Sequence, residues 1–252
     1  MKKTIFITGA TSGFGKAIAE IFAKNGNNLI ITGRRNERLV TITKDLSSKY
    51  GVKILPLCFD VRIKKDVEAA ISSIPKEWKA IDVLINNAGL ASGFGKIQDG
   101  DLEDWEKMID TNLKGLLFVS KTIFPIMINN KKGHIINIGS TAGKEVYQGG
   151  NVYCASKHAV DAISKAMRID LLEYGIKVTQ ICPGAAETEF SEVRFHGNKE
   201  QAKQVYKGYQ PMTAEDVASI AFYVTTLPEN LCVNDIVVTS LAQANSYYID
   251  RK

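Results

Sequence analysis

The sequence is poor in the residues that bind metals or form disulfides. Its 252 residues include only four cysteines and three histidines. The cysteines form no C-x-x-C pair, and the histidines lack the spacing of metal ligands. We therefore expect reduced thiols and no metal site. The residues in question are Cys58, Cys154, Cys182, Cys232, His134, His158 and His196.

A long hydrophobic run is also missing. After the basic start of residues 1–4, only the apolar residues 5–7 precede Gly9. A signal peptide needs an apolar region of roughly 7 to 15 residues, and a membrane-spanning helix needs about 20. We expect a cytoplasmic protein that makes no use of a membrane.

The charge is low for a protein that binds nucleic acid. Lys and Arg number 32 and Asp and Glu number 27, so the net charge is +5, and no basic stretch exceeds two or three residues. Nucleic-acid binders concentrate basic residues in patches or stripes. We expect a small molecule as the partner, and no nucleic acid.

Short apolar runs alternate with longer segments of helical periodicity. This alternation implies right-handed crossovers and a parallel sheet covered by helices on both faces. We predict a single α/β domain over residues 1–252, with a doubly wound sheet of about seven strands. The predicted strands are residues 4–8, 28–32, 53–59, 82–86, 134–139, 177–181 and 235–239. The predicted helices are residues 15–25, 37–49, 64–73, 102–127, 152–174 and 214–226.

Residues 182–212 form the one sizeable segment after a predicted strand that shows no regular pattern. The segment contains Gly184, Gly197, Gly208 and Pro211. In an open α/β sheet, ligands bind outside the carboxyl ends of the strands. We therefore expect residues 182–212 to cover a substrate site.

A glycine-rich turn follows the first predicted strand and leads directly into a helix. Such a helix N-terminus offers N–H groups and a partial positive charge to a diphosphate, and glycines allow the backbone to approach closely. The spacing is G-x-x-x-G-x-G, not the common G-x-G-x-x-G, so an ordinary strand-to-helix turn remains an alternative. We predict a dinucleotide site in a Rossmann fold. The predicted residues are Gly9, Thr11, Ser12, Gly13, Phe14 and Gly15.

Two arginines end the second predicted strand, where an NAD-binding protein carries an acidic residue for the ribose 2′-hydroxyl. Arg34 and Arg35 occupy this place. Guanidinium groups suit a 2′-phosphate and accept nothing from a 2′-hydroxyl. We predict NADP(H) as the cofactor. Two solvated arginines at the start of a helix are the alternative interpretation.

The centre of the chain carries Ser140, Tyr153 and Lys157. Tyr153 and Lys157 stand four residues apart, so they share one face of a helix. A tyrosine hydroxyl titrates near pH ~10, and a neighbouring ammonium lowers that pKa toward a usable acid or base. The Tyr-x-x-x-Lys pattern alone is common by chance. Together with the glycine turn and a serine after an apolar strand, it predicts a nicotinamide-dependent oxidoreductase.

These motifs resemble the short-chain dehydrogenase/reductase superfamily over almost the whole chain. The resemblance implies that Asp60 holds the adenine edge, that Asn87 lines the cofactor cleft and that Pro183 and Thr188 contact the cofactor. It also implies that Lys157 holds the nicotinamide ribose. The motifs that carry it are Thr8-Gly9-Ala10-Thr11-Ser12-Gly13-Phe14-Gly15, Asp60-Val61, Asn86-Asn87-Ala88-Gly89, Asn112, Ser140, Tyr153, Lys157 and Pro183-Gly184.

The same resemblance implies a mechanism. Tyr153, with its pKa lowered by Lys157 and by the oxidised nicotinamide, would exchange a proton with the substrate oxygen. Ser140 would donate a hydrogen bond to that oxygen. Asn112 would tie a water to Lys157 and complete a proton path, although an asparagine in this place can also have a purely local structural role.

A narrower resemblance points to the NADP-dependent 3-hydroxy acid dehydrogenases. It rests on residues 32–39, 136–143 and 188–195, which read TGRRNERL, INIGSTAG and TEFSEVRF. It implies the oxidation of serine, allo-threonine or 3-hydroxyisobutyrate, or the reduction of malonic semialdehyde. Residues Ala185-Ala186-Glu187 stand where that group would carry glycines, so the choice among these substrates stays open.

A carboxylate substrate needs a cation or several donors in the cleft. Arg194, in the segment after Pro183, is the candidate, and a solvated helix arginine is the equally open alternative. Two other functions remain possible: an NADPH-dependent reductase of other carbonyls, such as 3-ketoacyl groups or sugars, and a non-catalytic NADP(H) sensor. The resemblance also implies a homotetramer in which the helices predicted over residues 102–127 and 152–174 pack against partner copies.

Overall fold

The computed structural model describes residues 2–252, which form one doubly wound α/β domain. Seven parallel strands make a single sheet in the order β3-β2-β1-β4-β5-β6-β7. The order reverses at β1, which pairs with β2 on one side and β4 on the other. The strands are β1 Thr4–Ile7, β2 Asn28–Gly33, β3 Ile54–Cys58, β4 Val83–Asn86, β5 Gly133–Ile138, β6 Ile176–Pro183 and β7 Asp235–Val238. The predicted fold class is confirmed.

Helices cover both faces of the sheet. Helices α1, α2 and α9 contribute to one apolar layer, while α3, α5 and α6 contribute to the other. The helices are α1 Gly13–Lys24, α2 Asn36–Tyr50, α3 Lys64–Ser72, α4 Leu102–Ile109, α5 Leu116–Asn130, α6 Asn151–Asp170, α7 Glu189–Arg194, α8 Lys199–Gln204 and α9 Ala214–Val224.

Alternating side chains of the central strands divide the core into these two layers. Ile5 and Ile7 of β1 point into the layer with α1, whereas Phe6 points into the layer with α5. All three side chains are fully buried. A strand buried on both faces carries apolar residues at every position, because neither face meets water. This is why the strands were visible in the sequence as Ile- and Val-rich runs.

The helix predicted over residues 102–127 is interrupted. Helix α4 ends at Ile109, a π-helical turn spans Asp110–Gly115, and α5 continues from Leu116. A π turn inserts an extra residue without disturbing the apolar spacing on either side, so periodicity alone does not reveal it. Such turns are frequent at functional sites, and this one contains Asn112.

The segment 182–212, predicted to be irregular, contains the two short helices α7 and α8. Each begins at a side-chain cap: Thr188 accepts from the N–H of Phe190, and Asn198 accepts from that of Gln201. Helices of six residues are too short to display an apolar stripe, which is why the sequence did not reveal them.

Among residues 2–252, no helix is both long and apolar enough to cross a membrane. In the same range, no three His, Cys, Asp or Glu side chains come together as ligands for a metal ion.

Candidate active site

The glycine turn joins β1 to α1 at the point where the sheet order reverses, which is where open α/β sheets bind ligands. Gly9 and Gly13 have φ angles of +67° and +50°. A Cβ on Gly15 would lie 2.3 Å from the carbonyl oxygen of Gly9. The Asn87 amide donates to the carbonyl oxygens of Thr8 and Gly9 at 2.8 and 3.2 Å and so fixes the turn. Only glycine fits these positions. The turn over residues 9–15 thus forms a backbone cradle, which leaves room for a diphosphate.

The N-terminus of α1 faces this cradle without a side-chain cap. Ser12 stands at the cap position, yet its hydroxyl accepts from Arg35 Nη2 at 2.9 Å and does not bind the backbone N–H groups of the helix. Those N–H groups are therefore free to bind an anion, as a helix N-terminus does in dinucleotide sites.

The arginines lie beside the turn, as predicted, and Arg35 is hydrogen-bonded to it. Arg35 donates to Thr11 Oγ1 through Nε at 3.2 Å and Nη2 at 2.9 Å. Arg34 is more exposed and lies 3.7 Å from Asp60 Oδ2. Arg38, which the sequence analysis missed, lies one helical turn after Arg35 and joins the cluster through Glu189 at 2.9 Å.

Asp60 is held mainly by Arg62. The guanidinium of Arg62 donates to both carboxylate oxygens, with a distance of 2.6 Å from Nη2 to Oδ2. Partial burial acts to raise the pKa of Asp60, but the hydrogen bonds from Arg62 outweigh it and lower the pKa below its ordinary value. The carboxylate is therefore charged and engaged by arginine. Contact with adenine stays a prediction for this residue.

Ser140, Tyr153 and Lys157 meet at the carboxyl end of β5. Ser140 follows the strand, and its hydroxyl accepts from the N–H of Ala142 at 3.1 Å. Tyr153 and Lys157 project from α6 and are 8% and 6% exposed. The Lys157 ammonium donates to the carbonyl oxygen of Ile138 at 2.9 Å and lies 6.0 Å from the centre of the Tyr153 ring. One buried cluster thus holds a hydroxyl, a phenol and an ammonium.

Burial is the largest cause of the pKa shifts of Lys157 and Tyr153. It lowers the pKa of Lys157 to about 8. It also raises the pKa of Tyr153 above its ordinary value, although the neighbouring Ser140 hydroxyl and Arg194 act in the opposite direction. Lys157 is not among the groups that lower the Tyr153 pKa in this structure. The ammonium is directed at Ile138, and desolvation of the phenolate outweighs the charges around it.

Asn112 lies in the π turn next to this cluster. Its amide donates to the Leu90 carbonyl at 2.8 Å and to Ser156 Oγ at 3.0 Å, and its oxygen accepts from the Leu90 N–H at 2.8 Å. Both amide hydrogens are thus in use. A Cβ on Gly89 would lie 3.2 Å from Asn112 Oδ1 and 3.5 Å from Lys157 Nζ, so both side chains lie close to this glycine.

Arg194 sits at the end of α7, against three aromatic rings. Its guanidinium carbon lies 4.8 Å from the centre of the Phe94 ring, 5.5 Å from that of Tyr147 and 5.7 Å from that of Tyr153. Nη1 donates to the Tyr147 hydroxyl at 3.0 Å. Nε and Nη2 are buried and have no hydrogen-bond partner within the described chain. The solvated-arginine alternative is therefore wrong. Two adjacent unpaired N–H groups form the edge that binds a carboxylate in bidentate fashion.

A single cavity of about 920 Å³ connects these groups. It runs from the glycine turn to Arg194. Residues 182–212, called the covering segment below, line one of its walls. Gly15 and Asn112 do not line this cavity but lie next to residues that do. The predicted residues that line the cavity are Gly9, Thr11, Ser12, Gly13, Phe14, Arg34, Arg35, Asp60, Asn87, Ser140, Tyr153, Lys157, Pro183, Thr188 and Arg194.

Several lining residues were not identified from the sequence. Phe94 and Tyr147 hold Arg194, but they lie 100 and 47 residues before it, so no local pattern links them. Tyr247 and Arg251 of the C-terminal tail also line the cavity. The tail is attached to this chain's own covering segment, since the N–H of Lys252 donates to the carbonyl oxygen of Gly208 at 2.7 Å.

The arrangement of cradle, cavity and Ser-Tyr-Lys cluster defines a class of oxidoreductase. The family model for short chain dehydrogenases matches residues 3–199. The chain therefore belongs to the short chain dehydrogenase family, which confirms the resemblance stated from the sequence.

Particular relatives narrow the comparison. The chain is 43% identical over 251 residues to the NADP-dependent 3-hydroxy acid dehydrogenase of Schizosaccharomyces pombe, covering 99% of this chain and 97% of that one. It is also 43% identical over 253 residues to sulfoacetaldehyde reductase 2 of Chromohalobacter salexigens, covering both chains completely. The closed form of a serine dehydrogenase complexed with NADP+ superimposes with a TM-score of 0.92 at 41% identity, covering 96% of this chain and 97% of that one.

Proposed function

We propose that this protein is an NADP(H)-dependent oxidoreductase that acts on the hydroxyl or carbonyl carbon of a small 3-hydroxy acid. The observation that carries the proposal is the unpaired, buried edge of Arg194 beside Tyr153. Both side chains line one cavity, which supports an anion-binding role for Arg194 beside a proton-transfer role for Tyr153. The names of the relatives support the same chemistry.

The cofactor assignment rests on two groups of residues. The uncapped N-terminus of α1 and the glycines before it suit the diphosphate, and the arginines after β2 suit a 2′-phosphate. When bound, NADP(H) supplies the hydride chemistry and, in the oxidised form, a positive charge in the cleft. Both the S. pombe relative and the serine dehydrogenase neighbour are named with NADP, which supports the assignment.

Tyr153 exchanges the proton of the substrate oxygen in this proposal. During oxidation it removes the hydroxyl proton, and during reduction it returns one. Because burial raises its pKa, Tyr153 is protonated at neutral pH and ready to act as the acid in the reductive direction. Ser140 donates a hydrogen bond to the substrate oxygen as alkoxide character develops on it.

Lys157 supplies the positive charge that a phenolate at Tyr153 needs. Its pKa of about 8 keeps it largely protonated at neutral pH and allows it to pass a proton on. Asn112 and the Lys157 ammonium both lie beside Gly89, so in this proposal a water can link the two side chains. Because the amide hydrogens of Asn112 are engaged, only its oxygen remains to hold a water of the predicted proton path.

Arg194 binds the substrate carboxylate in this proposal. Its position on the rings of Phe94 and Tyr147 fixes the guanidinium and excludes water from one side of it. In serine, L-allo-threonine and 3-hydroxyisobutyrate, the carboxylate is attached to the carbon next to the one that bears the hydroxyl. A sulfonate offers the same charge, and the C. salexigens relative is named for a sulfonate substrate.

Initial rates of NADP+ reduction test the proposal. L-Serine, L-allo-threonine and 3-hydroxyisobutyrate are compared with an uncharged hydrophobic secondary alcohol, and NAD+ is run in parallel. We expect turnover of the acids with NADP+ and little with NAD+. Turnover of the alcohol alone would retain the proton-transfer cluster and reject the carboxylate site. Binding of NADPH without turnover of any of these compounds would favour the sensor function.

We also propose that the chain assembles as a homotetramer in the cytoplasm. The apolar residues exposed on the helices predicted to pack against partner copies support the assembly: Leu102 is 67% exposed, Ile169 74% and Leu172 73%. Unpaired apolar surface of this kind is typical of subunit interfaces. Light scattering coupled to size exclusion measures the mass directly, and a monomer of 27.7 kDa would reject the tetramer.

A further inference from the structure

Two arginines of the cofactor half converge on one carboxylate of the covering segment. Arg38 Nη1 donates to Glu189 Oε1 at 2.9 Å and to Oε2 at 3.1 Å. Arg35 Nη1 donates to Glu189 Oε2 at 3.2 Å. Both oxygens of Glu189 are therefore engaged by guanidinium groups. A carboxylate held in this way occupies the donors that a phosphate ester would otherwise use.

Four of the five N–H groups of Arg35 are engaged. Its Nε and Nη2 donate to Thr11 and Ser12, and its Nη1 donates one hydrogen to Glu189. An anion that takes two N–H groups of Arg35, as a bidentate phosphate contact does, must therefore displace one of these partners. Thr11 and Ser12 belong to the glycine turn and are fixed by it, whereas Glu189 lies on a helix of only six residues. Glu189 is the partner that can leave.

Glu189 is the first residue of α7, and its neighbour Thr188 lies over the glycine turn. A Cβ on Gly13 would be 3.6 Å from Thr188 Cβ. Partial burial acts to raise the pKa of Glu189, but the hydrogen bonds from Arg38 and Arg35 lower it below the ordinary value, so the carboxylate is ionised at neutral pH. Its ion pairs with Arg35 and Arg38 tie the start of the covering segment to the cofactor half.

We propose that Glu189 is a specificity-determining residue: its carboxylate occupies the arginine site for the cofactor's 2′-phosphate and is displaced when that phosphate binds. The proposal rests on the assignment of NADP(H). A phosphate monoester carries a charge of about −1.5 to −2 at neutral pH, against one negative charge on Glu189, so the arginines favour the phosphate. A ribose that carries a 2′-hydroxyl brings no such charge and leaves the ion pairs in place.

Displacement has two consequences. First, because the carboxylate competes for the arginines, a substitution that removes its charge strengthens the binding of ligands that carry a 2′-phosphate. The same substitution leaves the binding of ligands that lack a 2′-phosphate unchanged. Releasing Glu189 also frees the start of α7 from Arg35 and Arg38, so that the covering segment responds to the 2′-phosphate. Glu189 thereby links recognition of the correct cofactor to the wall of the cavity that carries Arg194.

Calorimetric titration with 2′,5′-ADP and with 5′-AMP tests the first consequence. Glu189→Gln removes the charge, and Glu192→Gln is the matched control on the same helix, where Glu192 makes no ion pair within the described residues. We expect Glu189→Gln to bind 2′,5′-ADP about three- to tenfold more tightly than the wild type, with 5′-AMP and the Glu192→Gln control unchanged. Equal or weaker binding of 2′,5′-ADP by Glu189→Gln overturns the proposal.

Limited proteolysis of the wild-type protein tests the second consequence without any variant. We expect 2′,5′-ADP, but not 5′-AMP, to increase cleavage within residues 182–212. Identical cleavage with both nucleotides contradicts the release of Glu189. Titration of the wild-type protein distinguishes a failure of the NADP(H) assignment from a failure of the proposed role of Glu189. If 2′,5′-ADP binds no better than 5′-AMP, the NADP(H) assignment fails. If it binds better and Glu189→Gln changes nothing, only the role of Glu189 fails.

Discussion

The guanidinium of Arg194 lies 5.7 Å from the ring centre of Tyr153, and two of its buried nitrogens have no partner among the described residues. An unpaired buried N–H costs roughly 1–3 kcal/mol, and more when it is charged. An anion bound at these nitrogens would remove that cost. This is the basis of the proposed carboxylate site next to the proposed proton-transfer residue, and the predictions below test it.

Replacing Tyr153 with Phe removes the hydroxyl and little else. We expect turnover to fall by about 10²- to 10⁴-fold, because general acid–base catalysis is lost, while the affinity for NADPH stays close to that of the wild type. Steady-state rates and NADPH fluorescence titration measure the two quantities. Tyr223→Phe, at a residue 56% exposed, is the control. Substantial turnover by Tyr153→Phe would remove this residue from the proton-transfer role.

Replacing Lys157 with Met removes the cation 6.0 Å from the Tyr153 ring. In the proposed mechanism this cation stabilises the phenolate that forms at Tyr153 during oxidation, and Lys157→Met removes that stabilisation. In the pH profile of kcat/KM for oxidation, we expect the limb that depends on Tyr153 to move by about one to two pH units toward higher pH. We also expect a lower rate. The control Lys165→Met lies on the same helix at an exposed ion pair with Asp161. An unmoved limb would show that Lys157 does not act on Tyr153.

Gly15→Ala tests the cradle. The added Cβ would meet the carbonyl of Gly9 at 2.3 Å, and relieving that overlap must distort the turn. We expect a loss of about 1–3 kcal/mol in the free energy of unfolding and a large loss of NADPH affinity. Gly95→Ala is the matched control, since a Cβ there has no heavy atom within 4 Å. Equal NADPH affinity in the two variants would contradict the proposed cofactor site.

His134 should make the protein sensitive to acid. Burial, helped by Lys177 and Lys3, lowers its pKa to about 3, and its Nε2 lies 2.8 Å from Thr179 Oγ1. Between pH 6.5 and 3 the unfolded chain takes up a proton at this residue and the folded chain does not. Stability contributed by neutral His134 is therefore lost as the pH falls, by about 1.4 kcal/mol per pH unit.

The measurement is urea unfolding at pH 7 and pH 5 for the wild type, His134→Gln and the exposed control His158→Gln. From pH 7 to pH 5 we expect the wild type and the control to lose about 2 kcal/mol more than His134→Gln. The same loss in all three proteins would show that His134 does not carry this pH dependence.

The sequence predicted the parts of the structure that depend on local pattern. The central strands were found because a parallel strand covered on both faces is apolar throughout, as in residues Ile5–Ile7. The glycine turn was found because its backbone geometry demands glycine at Gly9 and Gly13. Arg34 and Arg35 were found because the position after the second strand has a defined place in this fold.

The features that the sequence did not predict depend on contacts between distant parts of the chain. The π turn at Asn112 leaves the apolar spacing of its flanking helices intact, so it has no signal in the periodicity. The partners of Arg194 come from separate loops, and Glu189 meets Arg38 across 151 residues. The burial that raises the pKa of Tyr153 was not predicted either, because residue order does not reveal how strongly the surrounding protein desolvates the phenol.

The most direct test of the account is the effect of Arg194→Leu on two substrates measured side by side with NADP+. For L-serine, we expect kcat/KM to fall by about 10- to 150-fold, mainly through a higher KM, because a charge-assisted bidentate contact is lost. For an uncharged secondary alcohol, we expect kcat/KM to stay the same or to rise. An unchanged KM for L-serine, or an equal loss on both substrates, would contradict the assignment of Arg194 as the carboxylate-binding residue.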